Sequence, residues 1–336
     1  NVPRLDYSDG GCPSLLLENS STNLITQSED FSNAYWSKSG ASVVGNNSIS
    51  PNGALNADKL VESSANSQHY LQRNFYSTNG LSYTYKIYVK MNGRRNIALR
   101  ENGSTGYYVS FDLLNGIILE QSNATGKIKK LKDGWFEITH TSVAGDSFNI
   151  AYYLLSDSYT SGNPQTSPYQ GDGTSGVYIY GAQFEQNSYA TSYIKTVGTA
   201  QTRSADTANG AGNASTFNDS EGVLMAEISA LVNSDTSRYI TLSDGTTSNR
   251  IIFDFRPTQN VLRVVLVVTT SQYSYDITLN DIISNNKVAF KYKENDIALW
   301  VNGIEVNTSL SANVPTANTF DRLNFGNSSG AVPFYG

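Results

Sequence analysis

Four residues of one short run, Gln68, His69, Tyr70 and Arg73, carry the side chains that acid–base chemistry on a sugar acid uses. Gln and Arg would neutralise a uronate carboxylate, while His and Tyr would move its proton. The run reads as a strand, however, and successive residues of a strand alternate faces, so four groups in one run do not converge on a substrate. His69 and His140 are the only histidines of the chain. His140 shares strand parity with Phe136 and Ile138 and reads as a partly buried, hydrogen-bonded structural residue. No Cys/His or His/His spacing indicates zinc, and no Gly-x-Ser-x-Gly turn presents a nucleophile. Glycoside hydrolysis needs two carboxylates across a cleft, but the second half of the chain has no strand of alternating acids; Glu227 stands among apolar neighbours. The chain is read as a non-enzyme, with no catalytic residue assigned.

Sugar binding is a better use of the residues present. A pyranose offers an apolar face to an aromatic ring and hydroxyls to amide and guanidinium groups. Strand parity places Tyr70 and Gln72 opposite Leu71 and Phe75, and Arg100 opposite Ile97 and Leu99. It places Tyr108 opposite Val109 and Phe111, and Tyr153 opposite Phe148, Ile150 and Tyr152. These outward residues are candidates for one shared binding surface, against the plainer reading that they reflect β-propensity and cross-strand pairing. Trp36 is a further candidate that otherwise closes the same sandwich. Trp135, after a Gly turn, begins a strand read as core-facing. Trp300 either marks a surface or packs under a further strand.

Strands dominate the pattern that must position these residues. In Leu81–Met91, Tyr83, Tyr85, Ile87, Val89 and Met91 alternate with polar residues, which is a half-buried antiparallel strand. Repeated runs of this kind between Asn/Gly/Ser turns, without helical periodicity, predict an all-β chain of two tandem antiparallel β-sandwich (jelly-roll) domains. Residues 1–17 read as an extended lead-in with Pro3, Gly10, Gly11 and Pro13. Residues 18–199 form the first sandwich, 200–220 a small polar linker and 221–336 the second sandwich. Val264–Val268 is apolar throughout and predicts a strand covered on both faces. Asn302-Gly303 predicts a tight hairpin turn.

The 336 residues carry a formal net charge of −6, only 15% charged residues and 22 tyrosines. The mean hydropathy is −0.35. The densest basic cluster, Lys127, Lys129, Lys130 and Lys132, reads as a solvated strand edge, so nucleic acid is not expected as a partner. A lone cysteine, Cys12, allows no intrachain disulfide. No apolar run approaches 18 residues, so no membrane insertion is expected. The chain begins at Asn1 and reads as a fragment or a processed chain, with a second sandwich that reads as short of a final strand.

Several motifs together are similar to one family. They are PRLDY at 3–7, CPSLLLE at 12–18, TNLI at 22–25, GVYIYGAQFEQNSYATSYIKT at 176–196, and Arg203-x-x-Asp206. The chain resembles tailed-bacteriophage tail and appendage proteins in which carbohydrate-binding-like and concanavalin/laminin-G-like sandwiches are strung together. The resemblance implies an extracellular virion surface, with bacterial surface glycan and other virion proteins as partners, and a homo-oligomer, typically a trimer. It implies either a glycan adhesin, a structural spacer without sugar binding, or an accessory module of a depolymerase. No cofactor is implied beyond a structural calcium ion. Glu18, Asp157 and Asp172 are its candidate ligands, although no compact Asp-x-Asp loop supports them.

Overall fold

The computed structural model describes residues 4–7, 12–101, 106–145 and 147–336, the side chains of Ser147 and Phe148 excepted. Pro3, Gly10, Gly11 and the Phe148 ring of the sequence reading lie outside these. Apart from two three-residue 3₁₀ turns, the regular elements among the described residues are strands, and their ladders are antiparallel.

Residues 21–203 form one compact unit of two six-stranded sheets. The first sheet runs Ile117–Ser122, Tyr108–Asp112, Asn96–Glu101, Ser147–Leu155, His69–Tyr76, Ser37–Ser39 from edge to edge. The second runs Thr125–Lys130, Trp135–Val143, Ser82–Asn92, Gly176–Glu185, Leu55–Glu62, Ala41–Ile49. Period-two alternation decides what lies between them. Tyr83, Tyr85, Ile87 and Val89 from the second sheet share a core with Leu71, Ile97, Leu99, Val109, Ile150 and Tyr152 from the first. Each such apolar side chain contributes about 1.5–3 kcal/mol by leaving water.

Three details differ from the sequence reading. Met91 has the core-facing parity but is 42% exposed. Thr84 and Lys86 have the outward parity yet are buried, because the segment following Glu185 returns across that face. Thr84 Oγ1 donates to the Asn187 carbonyl at 2.9 Å, and Lys86 Nζ donates to the Thr191 carbonyl. Trp135 pairs with Lys90 and sits on the outer face of the second sheet, while its neighbour Phe136 takes the core-facing position opposite Val89.

The other unit comprises residues 1–20 together with 204–336. One sheet holds Glu221–Ile228, Asn286–Lys293, Ile297–Val301 and Ile304–Ser309. The facing sheet holds Thr270–Thr278, Val261–Val268, Asn249–Phe255, Arg238–Ser243 and Arg322–Asn324. Phe253, Leu262, Val264 and Leu266 pack with Val288, Phe290, Leu299 and Val301. The strand expected to be covered on both faces alternates instead, leaving Val265 and Val267 half-buried. Asn302 and Gly303 have φ of 52° and 84°, the pair of left-handed residues that a tight hairpin turn requires.

The stretches read as lead-in and linker are both tied down. Arg4–Asp6 pairs with Ser14–Leu16, and Leu17 exchanges two main-chain hydrogen bonds with Gly336, at 3.0 and 3.1 Å. Gln201–Arg203 pairs with Ser21–Asn23, and Ala211 exchanges two hydrogen bonds with Leu323. Among the described residues no helix is long and apolar enough to cross a membrane.

Candidate functional site

Strand register brings five of the six candidate sugar-binding residues onto one face of the first sheet, in two adjacent cross-strand rows. One row aligns Tyr70, Tyr153 and Ala98; the next aligns Gln72, Ala151, Arg100 and Tyr108. The parity argument thus placed these residues on the correct side of the sheet. It did not place a cover over them. Residues 156–170 cross this face, leaving Tyr153 1%, Arg100 0% and Tyr108 6% exposed.

The cover is held by groups that seemed free for a ligand. Arg100 donates to Asn163 Oδ1 at 3.1 Å and to Gln165 Oε1 at 2.6 Å. Asn96 Nδ2 donates to the carbonyls of Ser156 and Tyr159, at 2.9 and 3.2 Å. Tyr159 hydroxyl meets Ser110 Oγ at 3.0 Å, and the Gly162 N–H donates to Glu120. Burial and the adjoining Glu120 carboxylate push the Tyr108 phenol above its usual range. Arg100, Tyr108 and Tyr153 therefore anchor the cover rather than face solvent. Trp36 is also corrected: it is 2% exposed, packs in the core against Phe31, Tyr35 and Tyr152, and donates Nε1–H to the Gln27 carbonyl at 3.0 Å.

A narrower strip remains open beside the cover. Tyr70 and Gln72 are half-buried, Asn74 is exposed, and Asn149 is the register partner of Asn74. Ser39 and Ser37, both exposed, pair with Tyr70 and Gln72 from the edge strand. The Tyr70 ring stacks on Tyr153 with centroids 4.6 Å apart and planes 24° from parallel. Charges of these strands turn away from the strip. Arg73 lies over the Tyr35 ring at 4.1 Å, and Lys38 Nζ donates to the carbonyls of Ser32, Asn33 and Trp36. What results is an aromatic platform flanked by uncharged amides and hydroxyls. The parity of Tyr70 and Gln72 already implied Asn74. Ser37, Ser39 and Asn149 depend on long-range register, which local sequence does not carry.

The acid–base set of the sequence reading is dispersed, as strand alternation required. His69 is buried between the carbonyls of Gly40 and Tyr169 and packs edge-on against the Tyr169 ring. His140 is stacked on Tyr85 at 4.4 Å, and burial lowers its pKa to about 3. The proposed calcium ligands are likewise committed. Glu18 pairs with Arg4 at 2.7 Å, while Asp157 and Asp172 lie 3.3 and 3.9 Å from Arg94. Among the described residues no three His, Cys, Asp or Glu side chains are grouped as a metal site.

The family-like motifs converge on two polar networks, one in each unit. In the discontinuous unit, Arg4 of PRLDY pairs with Glu18 of CPSLLLE and with Asp206 of the Arg-x-x-Asp motif. Asp206 also accepts the Glu18 main-chain N–H at 2.8 Å. In the 21–203 unit, Asn23 of TNLI is fully buried and makes four hydrogen bonds. It donates to the carbonyls of Ala182 and Ile194 and accepts from the N–H groups of Ile25 and Phe184. Gln183 accepts the Ile194 N–H at 2.6 Å, and Glu185 accepts the Thr191 N–H at 2.8 Å. Gly181, with φ of 62°, stands where a Cβ would lie 2.9 Å from the Tyr88 ring. These motifs close the fold; they do not line the strip.

No family model matches this chain, and neither does any curated protein. Among solved structures it is similar to the mouse laminin alpha1 chain, domains LG4-5, at 10% identity over 78% of this chain and 80% of that one, with a TM-score of 0.24. At that score the likeness carries no argument, and the β-sandwich assignment rests on the sheets themselves.

Proposed function

We propose that the chain is a non-catalytic glycan-binding protein of a phage surface appendage, contacting bacterial surface sugar through the strip around Tyr70. The observation that carries the reading is the Tyr70–Tyr153 stack. A ring held flat against a second buried ring presents an ordered apolar platform at little entropic cost, beside Gln72, Asn74 and Asn149. The absence of charge along the strip favours a neutral sugar ring. A non-catalytic role is supported by the structural commitment of buried acids: Arg94 engages both oxygens of Glu62 at 2.7 Å, and Glu185 is held by Ser21 and Thr191. The phage setting rests on the motif resemblance alone.

A single open strip of this size binds weakly, on the order of millimolar or about −4 kcal/mol. Repetition in a trimeric fibre would raise effective affinity by roughly 10²–10⁴. The test is a bacterial glycan array probed with the full chain in its native oligomer, with recovered ligands checked for cleavage by mass spectrometry. Binding without cleavage supports the adhesin; no binding by a folded oligomer moves the reading to a structural spacer, and cleavage overturns the non-catalytic role.

A further inference from the structure

The outer face of the second sheet holds a cleft that no part of the account above uses. It has a volume of about 560 Å³ and is lined by Ser48, Ile49, Pro51, Lys90, Leu131, Lys132, Asp133 and Trp135 among others. Sites for small ligands commonly occupy about 300–1,000 Å³.

Two departures from regular structure make this cleft. The edge strand Ala41–Ile49 shifts register between Val44 and Ser48 and again between Ser48 and Ile49. Such irregularities bend a strand and re-aim its side chains. Its end arches over the sheet until the Ile49 carbonyl accepts the Trp135 indole N–H at 3.1 Å, although three strands separate the two in the sheet order. Opposite this arch, the turn Lys132–Gly134 holds Asp133 at φ of 56°. A non-glycine residue kept in the left-handed region is strained, and such strain persists where the surroundings over-determine it.

The lining is divided chemically. Trp135 forms the floor, almost fully buried, and Ile49, Pro51 and Leu131 form apolar walls. The charged groups are Lys90, Lys132 and Asp133, and among the described residues none of these three side chains makes an ion pair or hydrogen bond. Lys90 is half-buried and pairs directly with Trp135 across the ladder. A half-buried lysine without a counter-ion, beside an apolar floor, favours an anionic ligand group. Lys127 and Lys129 lie on the same outer face farther along the edge strand, where they pair with Thr139 and the acidic Glu137. Of the lysine cluster noted in the sequence, Lys132 lines the cavity, on a chain whose net charge is −6.

We propose that this cleft is a second binding site, for a carboxylated pyranose such as a uronic acid unit. The ring would lie against Ile49, Pro51 and Leu131, the carboxylate would meet Lys90 and Lys132, and Asp133 would accept from ring hydroxyls. The ligand class rests on the glycan reading above; the location does not.

Glucuronate and glucose differ at one carbon, a carboxylate against a hydroxymethyl group, and are the probes. Each is titrated into ¹⁵N-labelled full chain while the indole N–H signals of Trp36, Trp135 and Trp300 are followed. The expected result is a saturable shift of the Trp135 signal with glucuronate, at least tenfold weaker with glucose. Lys90→Gln and Lys132→Gln should each weaken glucuronate binding severalfold, and Tyr70→Ala should leave it unchanged. Equal response to both sugars, no response, or insensitivity to both lysine variants overturns the proposal. A glucuronate response abolished by Tyr70→Ala instead moves the ligand to the strip and also overturns it. Loss of neutral-glycan binding elsewhere, with this response intact, refutes only the proposal for the strip.

Discussion

Replacing Asn23 by Ala tests whether the family-like motifs serve the fold. The side chain is fully buried, and its four hydrogen bonds use both amide hydrogens and the carbonyl oxygen twice, at 2.8 to 3.1 Å. Truncation strands the carbonyls of Ala182 and Ile194 and the N–H groups of Ile25 and Phe184. A buried group left unpaired costs about 1–3 kcal/mol. Taking the low end for all four, because neighbouring losses are not additive, gives a destabilisation of about 4 kcal/mol. That corresponds to roughly a 10³-fold rise in the unfolding constant. Urea unfolding of the full chain followed by tryptophan fluorescence is a suitable assay, since Trp36 and Trp135 both lie in the 21–203 unit. A loss under about 1.5 kcal/mol would refute the reasoning, because it would mean that water or a main-chain shift replaces these bonds cheaply. Asn23→Asp keeps the shape but turns an oxygen toward two carbonyls, and should be at least as damaging.

Other perturbations follow from the same structure. Gly181→Ala forces a Cβ to 2.9 Å from Tyr88 at a left-handed φ, and should lower stability by about 1–2 kcal/mol in the same urea assay. His140 is neutral in the fold with its pKa lowered to about 3, so the unfolded chain binds the extra proton. Its contribution is present above the unfolded value of about 6.5 and is lost as pH falls toward about 3; His140→Phe should flatten the stability–pH curve in that window. Arg4→Ala removes the partner of Glu18 and Asp206, and should speed limited proteolysis within residues 5–17 while leaving the cleavage pattern of 21–203 unchanged.

The sheet faces were legible because strand parity is local. Tyr83, Tyr85, Ile87 and Val89 could be assigned to the core, and Tyr70, Gln72, Arg100, Tyr108 and Tyr153 to one outer face, from alternation alone. What covers a face is not local. The segment 156–170 lies over Arg100 and Tyr153 through single contacts such as Arg100–Gln165, which follow no sequence period. For the same reason Lys86, whose parity is outward, is only 2% exposed. Trp135 misled as the first residue, after a Gly turn, of a strand read as core-facing, whereas its pairing with Lys90 puts it outside, beneath an arch created by an irregular strand. The motifs carried architecture rather than a ligand, because buried polar networks such as Asn23–Gln183–Glu185 constrain residue identity as tightly as a binding site would.

The most direct test of the account is isothermal titration of an array-selected neutral glycan into wild type, Tyr70→Phe and Tyr70→Ala. The ring is the proposed platform, so Tyr70→Phe should retain most of the affinity. Tyr70→Ala should lose at least about tenfold, or about 1.4 kcal/mol, in a chain that unfolding curves show to be still folded at the assay temperature. Equal binding by Tyr70→Ala and wild type would contradict the assignment of the strip as the sugar site.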